Sequence, residues 1–283
     1  MKRLLFPGLP VYGLAIGMIL LLVPAPASAQ AVRNLAGFST SVLGANDDGS
    51  TGLVSAGQSM NFFGTTYTGL YVNNNGNVTF ISSYGTYTPS GLITVGQPII
   101  APFFGDVDTT GSGSGLVHYG TDTLNGRHAF GVEWPAVGYY GGHTNKLNTF
   151  ELILIDRTDT GAGNFDVEMN YNSIQWETGD ASGGSNGLGG TSAAAGYSNG
   201  TTGGTYQFPG SLVNGALING GPHALISNSL NSSTAGRYLF TVRNGTPVTT
   251  APTVPVLSPL LLVAMIVLLG AASLFAMRKV QQH

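Results

Sequence analysis

The chain has 283 residues, with 10 basic and 13 acidic side chains and a formal charge of −3, and only 8% of it is charged, against about 25% in ordinary soluble domains. It contains no cysteine, which excludes disulfide staples and thiol chemistry. Four of the basic residues, Lys2, Arg3, Arg278 and Lys279, lie at the two ends; without them 6 basic residues face 13 acidic ones, and this acidic balance excludes nucleic acid as a partner, because phosphates require a basic patch.

The chain opens on Met1-Lys2-Arg3, continues through an apolar run from Leu14 to Val23 and closes on Pro24-Ala-Pro-Ala-Ser-Ala29. A basic flank, an apolar stretch and a small-x-small site predict a secretory signal peptide over residues 1–29, with Ala27 and Ala29 fitting a signal peptidase. An uncleaved anchor is the alternative, but the apolar run is short for a span of about 20 residues.

Residues 30–244 predict one Gly-rich, all-β domain. Ala31 to Thr40 leads in, and Asn46 to Ser50 is a turn cluster in which Asp47 and Asp48 serve turn chemistry. Leu70 to Val72, Asn73 to Asn77 and Val78 to Ile81 predict a hairpin, since Asn-Gly between apolar β-formers is a strong local signal. Further strands are expected at Pro98–Phe104 and His128–Trp134. The clearest hairpin runs from Asn148 to Tyr171. Its first strand is apolar on both faces, Phe150, Leu152 and Leu154 against Ile153 and Ile155, so it is expected to be central and covered. Its second alternates Phe165, Val167, Met169 and Tyr171 with Asp166, Glu168 and Asn170, the pattern of a half-buried strand. Thr178 to Gly204 reads as loops and short strands, Gly236 to Arg243 as a last strand, and residues 245–254, with Pro247 and Pro252, as an extended linker. No helix is expected. Many short strands with Gly-rich turns predict an antiparallel β-sandwich-like single domain.

These blocks resemble the nidogen-like (NIDO) domain. The resemblance is carried by Asn61 to Tyr67, Leu70 to Phe80, Pro98 to Asp108, Thr149 to Asp156 and the strand ending at Trp176, and it covers residues 61–200. NIDO domains occur in extracellular-matrix and cell-surface proteins. The resemblance therefore implies extracellular interaction and cell–matrix adhesion, and it supplies no catalytic residue.

Three groups of residues raise chemistry. Asp106 and Asp108, in Asp106-Val-Asp-Thr-Thr-Gly111, half-match a calcium loop. Alternate residues on an extended chain share a side and can converge on one hard cation. Thr110 and Val117 stand where further ligands belong, and turn capping is the alternative. Calcium is the one cofactor the sequence raises. Tyr139, Tyr140 and His143, on a Gly-rich loop, suit contact with a protein or glycan, or else one Tyr packs inward and one outward. The histidines His118, His128, His143 and His223 follow no metal or triad spacing, and there is no G-x-S-x-G elbow. Glu133, Glu151, Glu168 and Glu177 read as solvent-facing. The expected function is a surface binding or structural protein and not an enzyme. The alternative is a secreted, glycan-acting hydrolase with a cryptic site.

From Leu257 to Met277 there is no charge, about 21 residues that suffice to cross a hydrocarbon core of about 30 Å. Arg278 and Lys279 follow and favour a cytoplasmic end. Val254-Pro255-Val256-Leu257-Ser258 before the apolar run resembles the IPTL type of C-terminal sorting signal, one of the PEP-like exosortase tails of bacterial surface proteins. Pro255, Leu257 and Ser258 agree with that pattern, while Val254, Val256 and Pro259 depart from it. The resemblance implies an exosortase-like protease acting near residues 254–258. The protein would be held in the inner membrane through residues 257–277 beforehand and displayed at the cell surface or outside the cell afterwards.

Overall fold

The computed structural model describes residues 30–248; the predicted signal peptide, most of the linker and the predicted sorting tail lie outside them. Among the described residues no helix is long and apolar enough to cross a membrane. The helical elements of the described residues are short 3-10 turns, and the rest of those residues are strand and loop.

Sixteen strands form in chain order: β1 Ser41–Leu43, β2 Val54–Phe62, β3 Thr65–Asn73, β4 Asn77–Thr79, β5 Ile99–Phe104, β6 Val107–Asp108, β7 Val117–Leu124, β8 Arg127–Tyr139, β9 His143–Asp156, β10 Phe165–Ser173, β11 Gly184–Ser185, β12 Leu188–Gly189, β13 Ala194–Ser198, β14 Thr205–Gln207, β15 Arg237–Arg243 and β16 Thr246–Val248. The first sheet runs β1-β7-β8-β9-β10-β15-β16, with β6 also on β8. The second runs β14-β13-β5-β4-β3-β2. The expected all-β antiparallel architecture is present: every ladder between these strands is antiparallel. Thr246–Val248, read from sequence as the start of the linker, instead add an edge strand, the place where a sheet tolerates a proline such as Pro247.

The core lies between the sheets. Phe150, Leu152 and Leu154 of β9 and Phe165, Val167 and Met169 of β10 point inward to meet Leu70, Val72, Ile100 and Phe103. Phe103 and Phe150 sit 5.4 Å apart, Phe62 and Phe165 6.0 Å, and Tyr197 and Phe240 5.4 Å. The Tyr171 hydroxyl donates to the Pro102 carbonyl at 2.7 Å and ties the layers together. Such a buried hydroxyl keeps a partner because an unpaired one costs about 1–3 kcal/mol.

The outer face of the first sheet departs from the expectation drawn from alternation. Ile153 and Ile155 are covered as expected, by Phe38 of the lead-in segment. Gly131 makes the room, since a Cβ there would stand 2.2 Å from the Phe38 ring. Beside them, however, Glu133, Glu151, Glu168 and Asn170 are buried, not solvent-facing. Register places Glu133, Glu151, Asn170 and Arg237 side by side across β8, β9, β10 and β15. Residues 31–39 cross this row as a strap. Arg33 binds Glu168 with Nε at 2.7 Å and a second nitrogen at 2.9 Å. The Arg33 backbone N–H donates to Glu151 at 3.1 Å, and Ser39 Oγ donates to Glu133 at 2.6 Å. Arg237 adds an ion pair to Glu168 at 3.1 Å and donates to the Ala31 carbonyl at 2.7 Å. Glu177 is also buried, its carboxylate accepting from the Gly215 and Leu217 N–H groups. Period-2 alternation reports which face a residue takes and not whether another segment covers that face.

Two outcomes follow. Phe165→Ala should lower unfolding free energy by about 3–5 kcal/mol, measured by denaturant titration, while Ile81→Ala, at an exposed position, should change it by under about 0.5 kcal/mol. The second outcome concerns pH. Burial pushes the Glu151 carboxyl up to about 7, reinforced by the charges of Glu133 and Glu168 and opposed by bonds from Asn170 and the Arg33 N–H. The folded state then keeps a proton that the unfolded chain releases near 4.5, so this group's contribution falls as pH rises from about 4.5 through about 7. Thermal melts from pH 5 to pH 8 should show wild type losing on the order of 2–3 kcal/mol more than Glu151→Gln.

Candidate functional site

The chain crosses from one sheet to the other between β5 and β6, at Gly105-Asp106. Four further loops meet this crossing: Gly44–Ser50, the Asn74–Gly76 turn between β3 and β4, the Tyr140–Gly142 turn between β8 and β9, and Thr178–Asp180. The predicted Asn-Gly turn is the hub. Asn73, Asn74, Asn75 and Asn77 are buried instead of lying at an exposed loop tip. The Asn74 amide donates to the carbonyls of Asn46, Asp47 and Val107, and its own carbonyl accepts from Trp134 Nε1 at 3.0 Å. Asn75 accepts from the Val107 N–H at 2.9 Å and donates to Asp48 Oδ1 at 2.8 Å. Gly76, at φ +72°, presses on the Phe103 carbonyl so closely that a Cβ would stand 1.8 Å from its oxygen.

This hub gathers Asp47, Asp48 and Asp106, each offering a carboxylate oxygen within 4.8 Å of the others. Asp106 is 1% exposed, and neither of its oxygens has a hydrogen-bond partner. Asp47 Oδ1 also has none. Gly179 packs directly on Asp106, where a Cβ would lie 2.3 Å from Oδ2. Burial, then the negative charges of Asp47, Asp48, Asp108 and Asp180, push the Asp106 carboxyl up to about 7. Burial and its acidic neighbours push Asp47 to about 6.

Asp108, which the sequence pattern joins to Asp106, points its carboxylate elsewhere. Its Oδ1 accepts from the Thr110 N–H at 2.8 Å and hydroxyl at 2.6 Å, and its Oδ2 from the Gly142 N–H at 2.8 Å. It clamps the turn after β6 to the β8–β9 turn. Tyr139 packs inward against Trp176 at 5.6 Å and stacks on His143 at 4.9 Å, with its hydroxyl donating to Asn145 at 3.0 Å. Tyr140 is exposed. His143 Nε2 lies 2.9 Å from Asp180 Oδ2. Tyr139, Gly142, His143, Asn145, Asp180 and Asn186 line an open groove of about 500 Å³, rich in amide, imidazole and carboxylate groups and suited to a hydrogen-bonding ligand.

Among the described residues, Glu133, Glu151, Glu168 and Glu177 are buried and present no open carboxylate pair. Glu133, Glu151 and Glu168 are sealed beneath the strap, and Glu177 is spent on backbone N–H groups. His128 bonds the Ala56 carbonyl and His143 bonds Asp180, neither with a Ser or Thr hydroxyl partner. Sequence reasoning missed the buried asparagines and the meeting of Asp47 and Asp48 with Asp106. The available signal was a run of asparagines longer than a two-residue turn requires.

Two packed antiparallel sheets, with their distinctive chemistry in loops at one end, define an all-β sandwich domain. The nidogen-like domain family matches residues 68–125 and 120–244, and the chain belongs to that family. Alpha-tectorin from Gallus gallus is 32% identical over 221 residues, covering 69% of this chain, and alpha-tectorin from Mus musculus is 33% identical over 219 residues. Nidogen from Drosophila melanogaster is 29% identical over 136 residues, 38% of this chain. In each case the match covers 10% of the relative, so the chain corresponds to about a tenth of those proteins. No solved structure matches it.

The hub gives a direct test. Asn74→Ala removes the side-chain donor to the Asp47 and Val107 carbonyls, while the Asn46 carbonyl keeps the Thr109 N–H and hydroxyl, and should destabilise the domain by about 2–4 kcal/mol, read from thermal or denaturant unfolding.

Proposed function

We propose that this protein is an exported structural or adhesive component of the extracellular matrix or cell surface, with its nidogen-like domain displayed outside the cell. The observation that carries this reading is the family match across residues 68–244 together with similarity to alpha-tectorin and nidogen, which are extracellular-matrix proteins. A non-catalytic role agrees with these relatives. The open groove lined by Tyr139, His143, Asn145, Asp180 and Asn186, with the exposed Tyr140 on the adjoining turn, supports contact with a polar partner, a glycan or a matrix protein. In this reading residues 1–29 are removed by signal peptidase after Ala29. Residues 255–283 are a sorting tail, cut near Val254 to Ser258 by an exosortase-like protease and oriented by Arg278 and Lys279.

Intact mass spectrometry of surface-exposed protein tests the processing. The expected product lacks the first 29 residues and about 25–30 from the C-terminus, and Pro255→Ala with Leu257→Ala should retain uncut protein in the inner membrane. Surface protein that keeps Gln281-Gln282-His283 would make the tail an ordinary anchor. The adhesive role is read separately. Cells displaying the full chain should bind features of a glycan and matrix-protein array that cells lacking it do not, and Tyr140→Ala should weaken that binding. Equal binding by both cell types would sink the role.

A further inference from the structure

We propose that Asp47, Asp48 and Asp106 form a calcium site that locks the Gly44–Ser50 loop to the crossing between the two sheets. The three carboxylates lie within 4.8 Å of one another, close enough for all to reach one ion at the roughly 2.3–2.6 Å typical of calcium–oxygen bonds. Asp106 forms the floor of the site, Asp47 its wall and the exposed Asp48 its mouth.

An acidic cluster alone does not make a site, and the second observation is Asp106. Its carboxylate is 1% exposed, aimed at Asp47 and Asp48, and receives no hydrogen bond on either oxygen. Buried polar groups are almost always satisfied, and buried charges are paired or coordinate metals. Among the described residues Asp106 is the one carboxylate with both oxygens buried and unbonded; Glu133 and Glu151 each leave one such oxygen but bond the other. Asp108 takes three donors, Glu168 takes Arg33 and Arg237, and Asp166 takes Arg157 and Arg243. The cations of the described residues are committed in the same way: Arg127 pairs with Asp159, and Lys146 donates to the Asn186 carbonyl. None forms an ion pair with Asp47, Asp48 or Asp106.

The surroundings favour a cation over a proton-sharing pair of acids. Asn75 holds Asp48 by Oδ1, and Asn74 holds the Asp47 carbonyl, so two ligand residues are oriented by the buried hub. Gly179 leaves no side chain that could donate to Asp106. The donors are oxygens throughout, which suits a hard cation. Calcium fits better than magnesium, because it accepts irregular sets of 6–8 oxygens, whereas magnesium demands a near-ideal octahedron at about 2.0–2.1 Å. Water entering past Asp48 would complete the shell.

The test uses the purified full chain, chelated and desalted, with calcium or magnesium chloride then added during thermal unfolding and isothermal titration. Calcium at about ten times its Kd should raise the melting temperature by about 3–6 °C, with magnesium giving less. Asp106→Asn is nearly isosteric and removes a buried charge, so it should stay folded and lose the response. Asp48→Asn, at an exposed position, should weaken calcium affinity on the order of tenfold or more. Asp156→Asn, at the opposite end of β9, should respond like wild type. No calcium-induced shift, an undiminished shift in Asp106→Asn, or a magnesium shift equal to that of calcium would each overturn the proposal.

Discussion

The arrangement depends first on the need to satisfy the buried amide of Asn74. Its single side chain serves three backbone carbonyls from two other segments, and its backbone carbonyl receives the indole of Trp134. Asn46 and Asp47 lie in irregular chain, and Val107 opens the short strand β6. Only the length and polarity of an asparagine place donors there without opening the core. Once Asn74 is fixed, Asn75 fixes Val107 and Asp48. Gly76 can then approach Phe103, whose N–H donates to the Gly76 carbonyl at 3.1 Å. The crossing from β5 to β6 is thus set by polar satisfaction, while apolar packing holds the sheets against each other. Networks of this kind specify one arrangement because a partly satisfied version is costly.

The outer face of the first sheet applies the same logic with charge. Four of the six basic residues among residues 30–248 bind carboxylates on β10: Arg33 and Arg237 on Glu168, Arg157 and Arg243 on Asp166. In a chain with so little charge, this places most of the available cations on one strand. The strap of residues 31–39 completes the arrangement by covering Glu133 and Glu151 and seating Phe38 over Gly131. A buried ion pair contributes little net stability against an apolar replacement, but breaking one partner is costly. The strap is therefore better understood as fixing the register of the lead-in segment than as a source of added stability.

What the sequence made legible and what it hid divide along contact range. The β9–β10 hairpin, its inward residues Phe165, Val167, Met169 and Tyr171, and the covered state of Ile153 and Ile155 follow from alternation within one strand. The burial of Glu133, Glu151 and Glu168 does not, because the cover comes from residues about a hundred positions earlier. Asp106 and Asp108 look like partners because they are two apart. Yet β6 turns Asp108 toward Gly142, while the hub brings Asp47 and Asp48 to Asp106 from nearly sixty residues away. The adjacent tyrosines behave as neighbouring strand-end residues must: Tyr139 faces the core and Tyr140 faces outward.

The topology also places the site relative to the rest of the chain. The turn Tyr140–Gly142 closes one end of β8 and β9, and the acidic loops gather at that end. Residue 248 pairs with Thr241, which pairs with Asp166, which pairs with Ile155. The described chain therefore leaves the sheet level with the far end of β9. Twelve residues of extended strand separate His143 from Ile155, on the order of 40 Å. A tail continuing from residue 248 toward a membrane or wall would hold the domain by the end opposite the groove. The groove and the acidic loops would then project outward, where a matrix partner and extracellular calcium are both available. In that orientation a cation that stiffens Gly44–Ser50 would act on the outward-facing end and leave the attachment alone. This is the arrangement expected if the loops, and not the sheets, carry recognition.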